Sequence, residues 1–159
     1  MTHRDKEFTQ LMEQNRGIIY KVIRLYVNHP EDEQYLFQEI HLQAWRSFGR
    51  FNGLSKFSTW LYRVGLNTVL TFKRRAVLVK PADNLEQVGG VHEPHSQTEE
   101  SEFLYQAIRE LSEIDRMIIT LHLDGYENEE IAEISGLTKN NVAVKLHRIK
   151  ESLTKKLKQ

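Results

Sequence analysis

The chain has 159 residues, of which 40% are hydrophobic, and this suits one domain or two small ones with modest cores. It contains no cysteine, which excludes a disulfide framework, a zinc site built on thiolates and a thiol nucleophile. The 22 basic and 22 acidic residues give a formal net charge of zero, and neither a membrane-spanning apolar run nor a signal peptide is present, so we expect a cytoplasmic protein.

Apolar periodicity predicts a first helix over residues 8–27 and a second over residues 30–47. Pro30 suits the first turn of the second helix, because proline lacks the N–H that a first turn leaves unbonded anyway. The residues predicted to be buried on that helix are Phe37, Ile40, Ala44 and Phe48. The residues left on its other faces are Gln38, Glu39, Leu42 and Gln43. Those faces are either solvated or meet a partner.

A polar loop follows over residues 50–56, and a third helix is predicted from residue 57 to about residue 76. Residues 40–82 contain no Asp or Glu but eight Lys and Arg. Rings offer stacking surfaces to unpaired bases and cations neutralise phosphates, so this segment has the chemistry to hold single-stranded nucleic acid. The rings concerned are Phe51, Phe57 and Trp60. The alternative is that they are simply core and the loop is ordinary.

Residues 80–97 lose all periodicity and contain two prolines and two glycines, which predicts a flexible linker. The chain is therefore expected to be all-α, with one helical domain over residues 1–79 and a second over residues 98–159. His92 and His95 lie in the linker, but two histidines without further ligands make an incomplete metal set. We expect no metal and no cofactor.

The second domain is predicted to hold four helices with recognisable capping residues. A capping box over residues 96–99 begins the first, Ser112 caps the second, and Gly125 ends it. The next helix is expected to be capped by Asn128, and the last by Thr138 after a turn at Gly136. The inward positions predicted on the first helix are Phe103, Leu104, Ala107, Ile108 and Leu111. Those on the last are Val142, Leu146, Ile149, Leu153 and Leu157.

The last two helices have helix-turn-helix spacing, and the final one has the side chains of a recognition helix. The residues off its buried stripe are Lys139, Asn140, Asn141, Ala143, Val144, Lys145, His147 and Arg148. Lys and Arg can donate to guanine or phosphate, Asn can pair with adenine, and Ala or Val can touch a thymine methyl. A solvated amphipathic helix is the alternative.

Residues 83–133 hold fourteen acidic residues and only two arginines, Arg109 and Arg116. The protein is therefore neutral only on average, with an acidic middle between two basic blocks. The local field decides binding, so the acidic middle either repels DNA or covers the basic surfaces when nothing is bound.

Three passages resemble the extracytoplasmic-function group of bacterial sigma factors in the sigma-70 family, the promoter-recognition subunits of RNA polymerase. They are FQEIHLQAW at residues 37–45, SKFSTWLYRVGLN at residues 55–67, and GYENEEIAEISGLTKNNVAVKLHRIKESL at residues 125–153. The resemblance covers nearly the whole chain, and it implies a region 2 domain, a variable linker and a region 4 helix-turn-helix domain. Its implied partners are core RNA polymerase, promoter DNA as duplex and as melted non-template strand, and an anti-sigma factor.

The resemblance also implies roles for individual residues. The polymerase-binding residues would be Gln38, Glu39, Leu42 and Trp45. Those binding the minus-ten element would be Arg50, Phe51, Asn52, Ser55, Lys56, Arg63 and Asn67. Those binding the minus-thirty-five element would be Lys139, Asn140, Asn141, Ala143, Val144, Lys145 and Arg148. The chain departs from the family pattern at Tyr35, where an Asp is usual, and at Ala143 and Val144, where Lys and Ser are frequent.

Two other classes stay open at this point. A conventional regulator would bind duplex operators as a dimer and footprint a palindrome without polymerase. A pure interaction module would only titrate a polymerase subunit, although the basic last helix argues against it. An enzyme is not expected, because no nucleophile, base and orienting acid cluster at a recognisable spacing.

Overall fold

The computed structural model describes residues 2–79 and 99–158, which are helical and contain no strand. The helices are α1 (His3–Gln14), α2 (Arg16–Tyr26), α3 (Pro30–Ser47), α4 (Phe57–Val79), α5 (Glu99–Arg109), α6 (Glu113–Leu123), α7 (Asn128–Ser135) and α8 (Lys139–Leu157), with a 3-10 turn over Phe48–Arg50. The prediction of an all-α chain is confirmed. The chain divides into two compact units, Met1–His92 and Glu93–Gln159.

Several predictions fall on residues 80–98, outside the described part of the chain. They are the flexible linker, most of the capping box over residues 96–99, and the histidines His92 and His95. Within the described ranges, no helix is both long enough and apolar enough to cross a membrane.

The first unit packs α2, α3 and α4 around a core that includes Val22, Ile40 and Val69, all fully buried. The single helix predicted over residues 8–27 is wrong, because a turn at Asn15 divides it into α1 and α2. The Asn15 side chain donates to the Leu11 carbonyl at 2.8 Å, and its own N–H bonds to the same carbonyl at 3.1 Å. Asn side chains compete in this way with continued helix, and here the competition ends α1.

The buried stripe of α3 also differs from the prediction by one residue. Leu36 is fully buried with Ile40 and Ala44, whereas Phe37 is only half-buried. The Phe37 ring instead stacks on Tyr20 of α2, with the ring centroids 4.7 Å apart. Periodicity alone cannot separate two adjacent apolar residues at the edge of a stripe, since the neighbouring helix decides which one is covered.

The second unit packs α5 to α8 around Ile118, Leu121, Ile131 and Val142. Phe103 and Leu157, both predicted to face inward, are 62% and 46% exposed. Leu157 is the last residue of α8, where fewer neighbouring elements are available to cover a side chain.

Local capping in the second unit follows the predictions at three positions and fails at one. Ser112 accepts from the Asp115 N–H at 3.2 Å, and Thr138 accepts from the Asn141 N–H at 3.1 Å. Gly125 ends α6 in the left-handed conformation, with φ +93°. Asn128 is not a cap, however, because α7 is capped by Glu127. The Glu127 side chain accepts from the N–H of Glu130, whose carboxylate accepts in return from the Glu127 N–H at 3.2 Å.

Gly136 sets the turn between α7 and α8. It has φ +80°, and its N–H donates to the Ala132 carbonyl at 2.9 Å, which ends α7. Left-handed backbone is costly for residues with a Cβ, so this turn requires glycine.

We expect Gly136→Ala to lower the free energy of unfolding by about 1–2 kcal/mol, because alanine must adopt left-handed backbone there. Space is not the cause, since a Cβ at residue 136 would meet no atom within 4 Å. Urea denaturation measures the change. Gly17→Ala is the control, because it also adds a Cβ in open space but at a helical glycine without positive φ, and it should gain up to about 1 kcal/mol. Equal losses from the two variants would contradict the explanation.

Candidate functional site

Three of the four side chains predicted to contact polymerase lie on the outer face of α3. Gln38, Leu42 and Trp45 are spaced four and three residues apart and are exposed. Glu39 is half-buried on a flank of the helix, where its Oε1 accepts a hydrogen bond from Gln43 at 3.0 Å. The three outer side chains therefore form a surface that a partner can reach, and Glu39 borders it.

Tyr35 extends this outer face by one turn, and sequence reasoning did not include it among the site residues. Its side chain is 51% exposed, and its ring lies 5.6 Å from the ring of Phe72 on α4. The spacing of three residues to Gln38 was a signal that could have found it.

Trp45 is held from one side by α1. The Phe8 ring meets it edge-on at 5.2 Å between centroids, and the Arg4 guanidinium carbon lies 5.8 Å from its centroid. The indole is 40% exposed. Trp45 therefore combines core packing with an accessible edge.

The loop between α3 and α4 projects its tip into solvent. The Asn52 side chain accepts a hydrogen bond from the Leu54 N–H at 3.1 Å, Gly53 has φ +77°, and Leu54 is 89% exposed. An Asn that bonds the backbone two residues ahead is a recognised turn former. Around this tip, Arg50 and Lys56 are exposed and Ser55 is half-buried.

Aromatic rings hold both ends of the loop. Phe51 at its start lies 5.6 Å from Phe57 and 5.4 Å from Trp60, measured between ring centroids. Phe57 is buried, so the core interpretation holds for it. Phe51 and Trp60 are only half-buried, so each keeps part of its ring open to a stacked base. On α4, Arg63 and Asn67 are exposed four residues apart on one face.

The predicted recognition helix α8 presents most of its candidate residues to solvent. The exposed ones are Lys139, Asn140, Asn141, Ala143, Val144, His147 and Arg148. Lys145 is half-buried. The opposite stripe, from Val142 to Leu153, is buried, so α8 is anchored by one face and open on the other.

Acidic residues of the preceding helices pair with two of the candidate lysines. Lys139 Nζ lies 3.0 Å from the Glu129 carboxylate, and Lys145 Nζ lies 3.6 Å from the Asp115 carboxylate. His147 faces Glu151 of its own helix at 3.2 Å. Acidic residues of the acidic middle therefore pair with cations of α8 in this structure. This agrees with the interpretation that the acidic middle covers the basic surfaces when nothing is bound.

A groove of about 570 Å³ lies where the Lys139 and Glu129 side chains meet. Its lining residues are His122, Gly125, Tyr126, Glu127, Asn128, Glu129 and Lys139. Burial lowers the pKa of His122, repulsion from Lys150 lowers it further, and attraction to Glu127 partly opposes both. His122 therefore stays neutral to lower pH than an ordinary histidine.

Two family models match the chain, one on each unit. The model described as Sigma-70 region 2 matches residues 11–77, and the model described as Sigma-70, region 4 matches residues 102–153. The α3 face and the loop lie within the first match, and the recognition helix lies largely within the second.

Curated proteins of the same kind match over most of the chain. The ECF RNA polymerase sigma-E factor of Haemophilus influenzae is 30% identical over 169 residues, which cover 96% of this chain and 88% of that protein. The ECF RNA polymerase sigma-E factor of Escherichia coli K12 is 33% identical over 135 residues, which cover 76% of this chain and 71% of that protein.

Solved structures with the same fold include a sigma factor and a second protein, each in complex with another protein. The sigma factor RpoE in complex with the anti-sigma factor NepR, from Bartonella quintana, matches with a TM-score of 0.80 and 20% identity over 96% of this chain and 98% of that one. CnrH in complex with the cytosolic domain of CnrY matches with a TM-score of 0.68 and 20% identity over 97% of this chain and 89% of that one.

Proposed function

The chain belongs to the sigma-70 family as an RNA polymerase sigma factor of the extracytoplasmic-function group, and from this membership we propose that it directs core polymerase to specific promoters. The observation that carries the proposal is the match of region 2 and region 4, in that order, to two helical units with exposed candidate surfaces. The domains are proposed as residues 1–79 and 98–159, with residues 80–97 as the linker.

The outer face of α3 is the proposed polymerase-binding surface, with Gln38, Leu42 and Trp45 at its centre and Glu39 at its border. Leu42 and Trp45 are both about 40% exposed. Apolar side chains exposed beside polar ones are typical of a binding surface, because a partner that covers them gains burial energy.

The loop over residues 50–56 and the exposed side of α4 are the proposed minus-ten surface. Arg50 and Lys56 would neutralise phosphates, the open edge of Phe51 would stack on a base, and Asn52 and Ser55 would supply hydrogen bonds. Arg63 and Asn67 would face the adjoining duplex. Unpairing and flipping a base costs a few kcal/mol, which capture in the loop would offset, so melting would be driven by capture.

The exposed face of α8 is the proposed minus-thirty-five surface. Lys139 and Arg148 would contact phosphates or guanine, and the two asparagines and the small apolar side chains would contact base edges. Because Lys139 is paired with Glu129, DNA must break an ion pair to use this lysine.

An anti-sigma factor is the proposed regulatory partner. Both solved structures with this fold contain a second protein. In the Bartonella quintana complex, that second protein is the anti-sigma factor NepR. We place the protein in the cytoplasm, where the polymerase is, and we propose that it has no catalytic activity by itself.

Run-off transcription with bacterial core polymerase on a library of random upstream sequences tests the proposed function. We expect defined transcripts that share two spaced elements, and none without this protein. An absence of transcripts, together with palindromic duplex binding by the protein alone, would favour the conventional dimeric regulator instead.

Leu42→Ala should weaken binding to core polymerase by about fivefold to thirtyfold, because it removes an apolar side chain that the complex would bury. Fluorescence titration of the labelled protein with core polymerase measures this. Leu123→Ala is the matched control, since Leu123 is an exposed leucine of the second unit, outside the proposed surface. Unchanged affinity with Leu42→Ala, or an equal loss with Leu123→Ala, would remove Leu42 from the interface.

Glu129→Gln should tighten binding of the polymerase-bound protein to promoter duplex by about twofold to fivefold. The reason is that Lys139 would no longer have to break its ion pair with residue 129 in order to contact DNA. Filter binding measures the affinity. Glu133→Gln is the control, because it removes the same charge from an exposed position of α7. The gain should vanish when Lys139→Ala is also present. Equal gains from both glutamine variants would instead indicate a general charge effect.

A further inference from the structure

The side chain of Arg4 lies across the junction between α3 and the 3-10 turn. Its guanidinium carbon is 5.8 Å from the ring centroid of Trp45 and 5.7 Å from that of Phe48. Phe8, one turn later on α1, packs on the same two rings at 5.2 and 5.1 Å. One cation and one ring therefore attach α1 to the end of α3.

Gly49 provides the space that the guanidinium occupies. A Cβ at residue 49 would lie 2.7 Å from Arg4 Nη2 and 3.5 Å from its Cζ, and the first distance is too short for a real contact. Gly49 is not among the described glycines with positive φ, so its backbone conformation does not require glycine. The close approach of Arg4 favours glycine instead, because a Cβ there would push the flexible guanidinium out of place.

The start of α1 is itself fixed, which limits where Arg4 can reach. The Thr2 side chain accepts from the Asp5 N–H at 3.1 Å, and the Thr2 N–H donates to the Asp5 carboxylate at 3.0 Å. In the described parts of the chain Arg4 makes no ion pair within 4 Å, so the two rings and the space at Gly49 hold it.

The junction under Arg4 is the beginning of the proposed minus-ten loop. The Phe51 N–H donates to the Phe48 carbonyl at 3.1 Å, and the two rings are stacked, with centroids 6.2 Å apart and 14° between their planes. Any movement of Phe48 is therefore passed on to Phe51, near the start of the loop. At the other end, buried Phe57 fixes the loop to α4.

We propose that Arg4 is a positioning residue. By holding Phe48 and Gly49 in place, it keeps the minus-ten loop in the conformation that binds single-stranded DNA. The inference deepens the proposed function and rests on it. A loop already in its binding conformation loses less entropy on capture, so Arg4 would act on DNA affinity without touching DNA. Arg4 lies outside the region 2 match, which begins at residue 11.

Four variants separate this role from others. Arg4→Ala removes the contact, and Arg4→Lys keeps the charge but loses the planar group that stacks on rings. Gly49→Ala displaces the guanidinium while leaving Arg4 in the chain. Lys6→Ala is the matched control, because Lys6 is an exposed cation on the same helix.

The first readout is the affinity of the polymerase-bound protein for the single-stranded non-template strand of a promoter found by run-off transcription. Arg4→Ala and Gly49→Ala should each weaken it by about threefold to tenfold, and Arg4→Lys by nearly as much. The double variant Arg4→Ala/Gly49→Ala should be no weaker than either single one. Lys6→Ala should leave the single-strand affinity within about twofold of that of the unsubstituted protein. The affinity for core polymerase should stay within about twofold in all variants.

Three results would overturn the proposal. A full effect of Arg4→Ala with none from Gly49→Ala would show that placement over the junction is irrelevant. Retained affinity with Arg4→Lys would indicate a simple charge effect, and reduced core affinity would make Arg4 a polymerase contact.

A second readout needs neither DNA nor polymerase, so it tests the positioning even if the run-off experiment rejects the sigma function. Hydrogen exchange of the Phe51 amide in the free protein should be faster in Arg4→Ala and Gly49→Ala, because the Phe51–Phe48 hydrogen bond opens more often. Unchanged exchange would reject the positioning role whatever the transcription result.

Discussion

The ring of Phe48 is the packing centre on which the candidate surfaces of the first unit depend. It is buried and contacts α1 through Phe8, the loop through Phe51, and α4 through Phe57 and Trp60, at centroid distances of 5.1 to 6.3 Å. Aromatic pairs at such distances contribute about 0.5–1.5 kcal/mol each beyond burial. Packed interiors transmit displacement, so the position of the loop depends on the position of Phe48.

The second unit depends on electrostatics more than on packing for its candidate function. Its recognition helix carries cations in a protein with zero formal net charge, and acids of α6 and α7 pair with two of them. The exposed Lys139–Glu129 pair is worth only about 0–1 kcal/mol, so it would reduce DNA affinity without preventing binding. A domain whose DNA affinity is reduced in this way would bind promoters better when a larger partner holds it close to the DNA. Such an arrangement is the one expected of a polymerase subunit.

Local sequence signals predicted the features that local chemistry determines. Thr138, Ser112 and Gly136 act within a few residues of their partners, so their roles can be read directly from the chain. Two local signals were missed, the break at Asn15 and the cap at Glu127. The remaining errors lie where another element decides. Leu36 is buried where Phe37 was predicted to be, because the Phe37 ring stacks on Tyr20 of the neighbouring helix. Arg4 could not be found from sequence, since its contacts, Trp45, Phe48 and Gly49, lie more than forty positions away. Residue chemistry and spacing indicated nucleic-acid contacts for the loop and for α8, whereas the polymerase-binding roles came from family resemblance.

The exposed side chains of α8 also bear on how specificity would arise. Phosphate contacts by lysine and arginine raise affinity for every sequence alike, so discrimination must come from groups that reach base edges. In the middle of this face the chain has Ala143 and Val144, both exposed, where the family often has Lys and Ser. Aliphatic side chains cannot donate to guanine and favour the thymine methyl, whereas Asn140 and Asn141 can pair with adenine. As the proposed recognition helix, α8 therefore has the chemistry to prefer A·T pairs, and base assignments from relatives with Lys and Ser at residues 143 and 144 would not transfer to it.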